Sequence, residues 1–231
     1  MHTFVNLVAT RCKNGDHAAL LRWYHDHVHV LMRFDGLQRA TLYRRAATPA
    51  LTVSAAAPEY FCLYDFASQA DFMAFETSEA REQARQILLG GWGKDAIEIT
   101  QRTQFWRLGT RTALKAATVG DGLWHVQSLH LGAGPAAGVA RWLNDSLHRA
   151  LDAAAVGQLA WHRAVDATDA GGDALVMVQT HHAQASEPSP LPFGGWLHNL
   201  KDGGQTAWGH APATTAIAWQ SPYHRLYVWG R

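Results

Sequence analysis

Apolar and polar positions recur along this chain in two successive patterns of the same kind. In the first, "FVNLVAT" reads as a strand, and "DHAALLRWYHDHVHVLMRF" spaces its apolar residues three and four apart, as an amphipathic helix does. "LQRATLYRRA" and "EYFCLYDF" read as strands, "SQADFMAFETSEAREQARQILL" as a second helix and "AIEITQRTQFWRL" as a last strand, which makes the order βαββαβ. The second pattern opens with "LWHVQSLHL", continues with the helix "GPAAGVARWLNDSLHRALDAA" and the strands "QLAWHRAV" and "ALVMVQTHH", and finishes with "TTAIAWQ" and "HRLYVWG". Its second helix is reduced, because "SEPSPLPFGGWLHNLKDGG" carries three prolines, each fixing φ, and glycines that favour turns.

Short echoes run through both patterns in one order. "RWYHDHVH" at 22–29 and "RWLNDSLH" at 141–148 share Arg, Trp, Asp and His at the same offsets. "YRRA" at 43–46 answers "WHRA" at 161–164, "LGGW" at 89–92 answers "FGGW" at 193–196, and "QFWRLGTR" at 104–111 resembles the final "RLYVWGR". We therefore expect one domain over 1–110, a linker over 111–122 and a second domain over 123–231. A βαββαβ unit places both helices on one face of an antiparallel sheet, and the other face needs cover. Two copies supply it to each other, so the expected fold is α+β: two tandem ferredoxin-like units packed as a pseudo-dimeric α+β barrel. A monomer suffices for that arrangement, while exposed strand edges leave a homodimer open.

The stretch "WYHDHVHVLMRFDGLQR" resembles the helix-to-strand segment of dimeric α+β barrel proteins of the EthD-like type, where a His stands nine residues before a Gly that opens the next strand. His27 has that spacing to Gly36 and His148 to Gly157, while His29 stands where the group usually has a Pro. The resemblance implies a fold and a small-molecule pocket more than it implies one reaction.

Charge narrows the partners. The 20 basic and 19 acidic residues nearly cancel and form no block of one sign, so neither a nucleic acid nor an anionic membrane has an electrostatic footprint. The start shows a short strand-like apolar run without a signal-type core, and no 18 uninterrupted apolar residues occur, from which a cytoplasmic protein is expected. Cys12 and Cys62 sit in no metal-binding or redox spacing and read as reduced, and Cys62, inside the apolar run "YFCLYDF", reads as a small buried side chain.

On a helical wheel, Leu20, Leu21, Val28, Leu31 and Met32 lie within about 80° of Tyr24, and Trp23 and His27 border that stripe. Arg22, Asp26 and His29 fall on the polar side, as do Arg141, Asp145 and His148 in the second copy, where Arg–Asp and Asp–His spacings suit surface pairing. His27 is the candidate general base, with Tyr24 and Tyr43 orienting an oxygen; Trp23, Tyr64, Trp106, His148 and Trp161 are candidate ligand-binding residues. No hydrolase, phosphate-loop or dinucleotide fingerprint is present. His25 and His29, helped by His17 or Asp26, and the adjacent His181 and His182 invite a reading as metal ligands. Residues next to each other on a strand point to opposite faces, however, and no metal is expected.

The function so read is an enzyme of small-molecule metabolism, of oxygenase, isomerase or cyclase type, acting on an aromatic or apolar compound without a cofactor. One alternative is a non-catalytic binding or accessory protein of the same fold. Another is a haem protein with His162, His181 or His198 as axial ligand, since the chlorite dismutase-like group is also built from two ferredoxin-like halves.

Overall fold

A computed structural model describes residues 3–47, 56–89, 92–112, 122–131, 156–168, 172–180 and 216–230. Its elements are β1 (Thr3–Cys12), α1 (His17–Leu31), β2 (Leu37–Arg45), β3 (Tyr60–Phe66), α2 (Gln69–Glu76), α3 (Glu79–Leu89), α4 (Trp92–Ala96), β4 (Ile97–Thr112), β5 (Leu123–His130), β6 (Val156–Thr168), β7 (Gly172–Thr180) and β8 (Ala216–Gly230). They fall into two compact units. The first takes β1 to β3, the four helices, β4 as far as Arg107 and the end of β8 from Arg225; the second takes β5 to β7 and the remainder of β4 and β8.

In the first unit β1 pairs antiparallel with β3 and β4, and β2 with β3, which gives the order β4-β1-β3-β2. In the second, β5 pairs antiparallel with β7 and β8, and β6 with β7, which gives β8-β5-β7-β6. Counted within its own unit, each sheet has the order 4-1-3-2 that a βαββαβ chain produces. The fold is α+β with a duplicated antiparallel strand pattern, as the sequence led us to expect. The echoes occupy equivalent places: "YRRA" lies at the end of β2, its Ala46 just beyond, and "WHRA" on β6, and "QFWRLGTR" lies on β4 where "RLYVWG" closes β8.

In the first unit, α1 starts where Asp16 accepts a hydrogen bond from the Ala19 N–H at 2.9 Å, satisfying one of the helix's free amides. It buries Leu20, Tyr24, His27, Val28 and Leu31. On β1 the helix-facing side chains include Asn6, Val8 and Thr10, and the alternate residues Val5, Leu7 and Ala9 are buried on the other face. Strand β3 is buried throughout, so both of its faces are shielded. Its Cys62 is a free, buried thiol, pushed up to about 12 by burial.

Three local expectations change. The single helix read over "SQADFMAFETSEAREQARQILL" is two, because the Ser78 hydroxyl donates to the Phe75 carbonyl at 2.8 Å and accepts from the Arg81 N–H at 3.2 Å, ending α2 and starting α3. At "LGGW", where no element was read, Trp92 opens the short helix α4. The two strands read at the chain end are one strand, β8, which runs through Pro222 opposite His125. The first helix of the second copy, its reduced second helix and linker residues 113–121 lie outside the described residues, while Arg111 and Thr112, read as the start of the linker, end β4. Among those described, no helix is long and apolar enough to cross a membrane.

Candidate active site

A pocket of about 50 Å3 lies between the helices and the helix-facing side of the sheet in the first unit. Val8, Leu31, Phe75 and Leu88 give it an apolar body. Asn6 and Thr10 of β1, Tyr64 of β3, and Trp23, Tyr24 and His27 of α1 supply its polar and aromatic wall. Space of this size admits a few water-sized groups and is partly open.

His27 is the chemically distinctive member. The helical wheel puts it at the border of the apolar stripe, partly solvated, but only 9% of it is exposed, because α3 lies over that border. Its ring stacks on Trp23 with centroids 4.4 Å apart, and its Nδ1 is buried with no hydrogen-bond partner among the described residues. Burial pulls its pKa down to about 4, with the nearby charge of Arg81 acting in the same direction and the Ala84 backbone against it. At neutral pH it is therefore an uncharged imidazole.

Tyr24 is 1% exposed, and its hydroxyl lies 2.8 Å from Thr10 Oγ1. Burial raises the pKa of Tyr24 and of Tyr64 far above the ordinary phenol range, so both work as neutral hydrogen-bonding groups and not as phenolates. At the mouth, Glu76 of α2 and Arg81 of α3 pair at 3.5 Å, and Arg102 and Ile99 of β4 complete the rim.

Of the residues singled out in the sequence, Tyr24, His27, Trp23 and Tyr64 thus meet around one pocket. Tyr43 does not join them. It stacks on its cross-strand partner Phe61 with centroids 4.7 Å apart, and Phe61 alternates with the pocket-facing Tyr64 side of β3, so Tyr43 lies on the opposite face of the sheet. Trp106 shares the helix-facing side but packs edge-on against Phe4, 5.0 Å between centroids, beyond the pocket lining. Trp161 belongs to the second unit, 3% exposed, with the Arg111 guanidinium 5.9 Å from its ring centroid. His148 lies outside the described residues, as do His181, His182 and His198.

The surface pairing expected on α1 takes a different form. Asp26 lies 3.5 Å from His25, and His29 Nε2 lies 3.2 Å from His25 Nε2. These exposed rings meet each other, and among the described residues no group of three metal-ligating side chains assembles. Of the histidines considered for haem, His162 is wholly buried on β6, with Nδ1 3.3 Å from the Leu175 carbonyl of β7.

Sequence reasoning missed Asn6, Thr10, Glu76, Arg81 and Arg102. Asn6 and Thr10 could have been found as polar residues on one face of an otherwise apolar strand. It also missed a cluster on the far side of the sheet, where buried Asp65 accepts from Arg39 Nε at 2.7 Å and from Arg107 Nη2 at 2.6 Å.

No protein-family model matches the chain, and no curated protein matches it. Its likeness is to solved structures. A protein named as a candidate monooxygenase from Fusobacterium nucleatum aligns over 100% of this chain and 95% of its own, at TM-score 0.61 and 8% identity. An anthrone oxidase-like protein aligns over 99% and 93%, at TM-score 0.57 and 10% identity. A chlorite dismutase from Candidatus Nitrospira defluvii aligns over 97% and 91%, at TM-score 0.55 and 7% identity. At such identities the likeness shows the fold alone: an α+β fold in which the 4-1-3-2 antiparallel strand pattern occurs twice.

Proposed function

We propose that the protein is a small-molecule enzyme that begins its reaction by taking a proton from an aromatic or apolar compound held in the pocket of the first unit. The observation that carries this reading is His27, a buried, uncharged imidazole on the wall of a pocket that is otherwise apolar and aromatic. The step moves a proton from a substrate C–H or O–H to an imidazole nitrogen, and the bonding pair stays on the substrate. An imidazole whose conjugate acid is held near 4 is ready to accept at neutral pH but is a weak base. It therefore suits a substrate that is already acidic, a phenol or a carbon next to a carbonyl in a conjugated ring system.

The fate of the deprotonated substrate distinguishes the candidate reactions. Dioxygen as oxidant gives an oxygenase, return of the proton at another carbon an isomerase, and internal attack a cyclase. None requires a cofactor when the substrate itself delocalises the electron pair. The names of the neighbouring structures, a candidate monooxygenase and an anthrone oxidase-like protein, support the first of these.

The test is a thermal-shift screen of aromatic ketones and phenols, followed by turnover and oxygen-consumption assays on the stabilising compounds. His27→Ala is expected to lower turnover on the order of 100-fold or more. Unchanged turnover in that variant contradicts the assignment of the base. The weak basicity of His27 favours one other reading, a non-catalytic ligand-binding protein. That reading gains if compounds bind and none is converted.

A further inference from the structure

We propose that Arg102 selects ligands that carry one anionic oxygen on an apolar body, by meeting that oxygen at the mouth of the His27 pocket. This rests on the reading of that pocket as the small-molecule site. One charge at the mouth is left over. Three charged side chains line the pocket: Glu76, Arg81 and Arg102. Glu76 is taken by Arg81, whose Nε lies 3.5 Å from its Oε1, and the two side chains are 39% and 21% exposed. Arg102 forms no ion pair among the described residues, so the rim as a whole carries one uncompensated positive charge. The wall behind it holds no second charge to pair with a ligand: His27 is neutral, and Tyr24, Tyr64, Thr10 and Asn6 offer only hydrogen bonds.

Geometry divides the pocket accordingly. Arg102 stands on β4 opposite Val8 of β1, which also lines the pocket, and Arg102 is exposed, so its side chain starts from the sheet wall at the pocket's open side. A ligand whose apolar part lies against Leu31, Phe75 and Leu88 leaves its polar end at this rim. A planar guanidinium is matched to a carboxylate or to an oxyanion held by a conjugated ring. For a substrate that loses a proton to His27, the same residue stabilises the negative charge that remains on the substrate oxygen, which makes Arg102 a substrate-contacting residue as well as a selector.

Calorimetric titration of the full chain with benzoate and benzamide separates charge from shape, because the two probes are nearly isosteric. Benzoate is expected to bind about tenfold more tightly than benzamide at low salt, with the advantage shrinking as salt is added. Arg102→Gln is expected to remove that advantage and leave benzamide affinity within about twofold, and Arg102→Lys to keep most of it. Equal affinities in the unmodified protein, or an unchanged benzoate affinity in Arg102→Gln, overturn the role of Arg102. Ile99→Trp, at a rim position that is 37% exposed, serves as a blocking control: loss of both probes there places them in the pocket. If neither probe binds the unmodified protein, or Ile99→Trp affects neither, the pocket reading falls together with this inference.

Discussion

Trp23 and His27, one turn apart on α1, stack with their rings 4.4 Å apart and 23° from parallel, so the indole forms one wall of the imidazole's dry environment. Removing that wall restores hydration to the charged form of the histidine. Trp23→Ala is expected to raise the His27 titration midpoint from about 4 by roughly one unit or more, read from its ring resonances. An unchanged midpoint means that the desolvation comes from α3 and the sheet alone.

Acid sensitivity arises from the same burial, and its direction is determined. His27 binds its proton near pH 4 in the fold against 6.5 when unfolded, so between these values the unfolded chain holds more protons and stability rises with pH. The contribution is fully present above about pH 6.5, declines as pH falls toward 4, and amounts to about 3 kcal/mol at most. His125 of the second unit is also pulled down to about 4 by burial and adds in the same direction. Urea denaturation at pH 7 and at pH 4.5 is expected to show a smaller pH-dependent loss in His27→Gln than in the unmodified protein.

Asp65 holds two guanidiniums, Arg39 on β2 and Arg107 on β4, and its own side chain is 5% exposed. Asp65→Asn keeps the size and some hydrogen bonding but removes the charge both arginines grip, with Arg107 only 14% exposed. A loss of about 3 kcal/mol is expected by denaturant titration. A loss below about 1 kcal/mol would show that the cluster behaves as a surface pair.

Gly36 has a steric reason to be glycine. A Cβ there would lie 2.5 Å from Phe34 Cε1 and 2.8 Å from Asp71 Cβ, because α2 passes close to the chain where it enters β2. Gly36→Ala is expected to cost about 1 to 3 kcal/mol. Melting within a degree of the unmodified protein would show that Phe34 and Asp71 move aside freely.

The strand order was legible because alternation and the repeated strand fragments are local signals: "YRRA" and "WHRA" mark β2 and β6 without any knowledge of what they touch. The His27–Gly36 spacing was legible for a similar reason, and the structure supplies the cause of its glycine in the close approach of Phe34 and Asp71. Tyr43 was drawn toward the site because a lone sequence does not show which face of β2 meets the helices; that depends on its register with β3, which puts Tyr43 beside Phe61. The break at Ser78 depends on one hydroxyl serving two backbone groups, a choice between cap and helix interior that composition does not resolve. Asp65 hid in the apolar run "YFCLYDF", where its two arginines come from strands distant in the chain.

The central claim, that His27 is an uncharged imidazole on the wall of the ligand pocket, is tested most directly by following its ring nitrogens by 15N NMR during a pH titration, with and without a saturating ligand from the screen. The account predicts a midpoint near pH 4 in the free protein and a clear shift of a His27 ring nitrogen when the ligand binds. A midpoint close to 6.5, or His27 resonances indifferent to a ligand that binds, would contradict it.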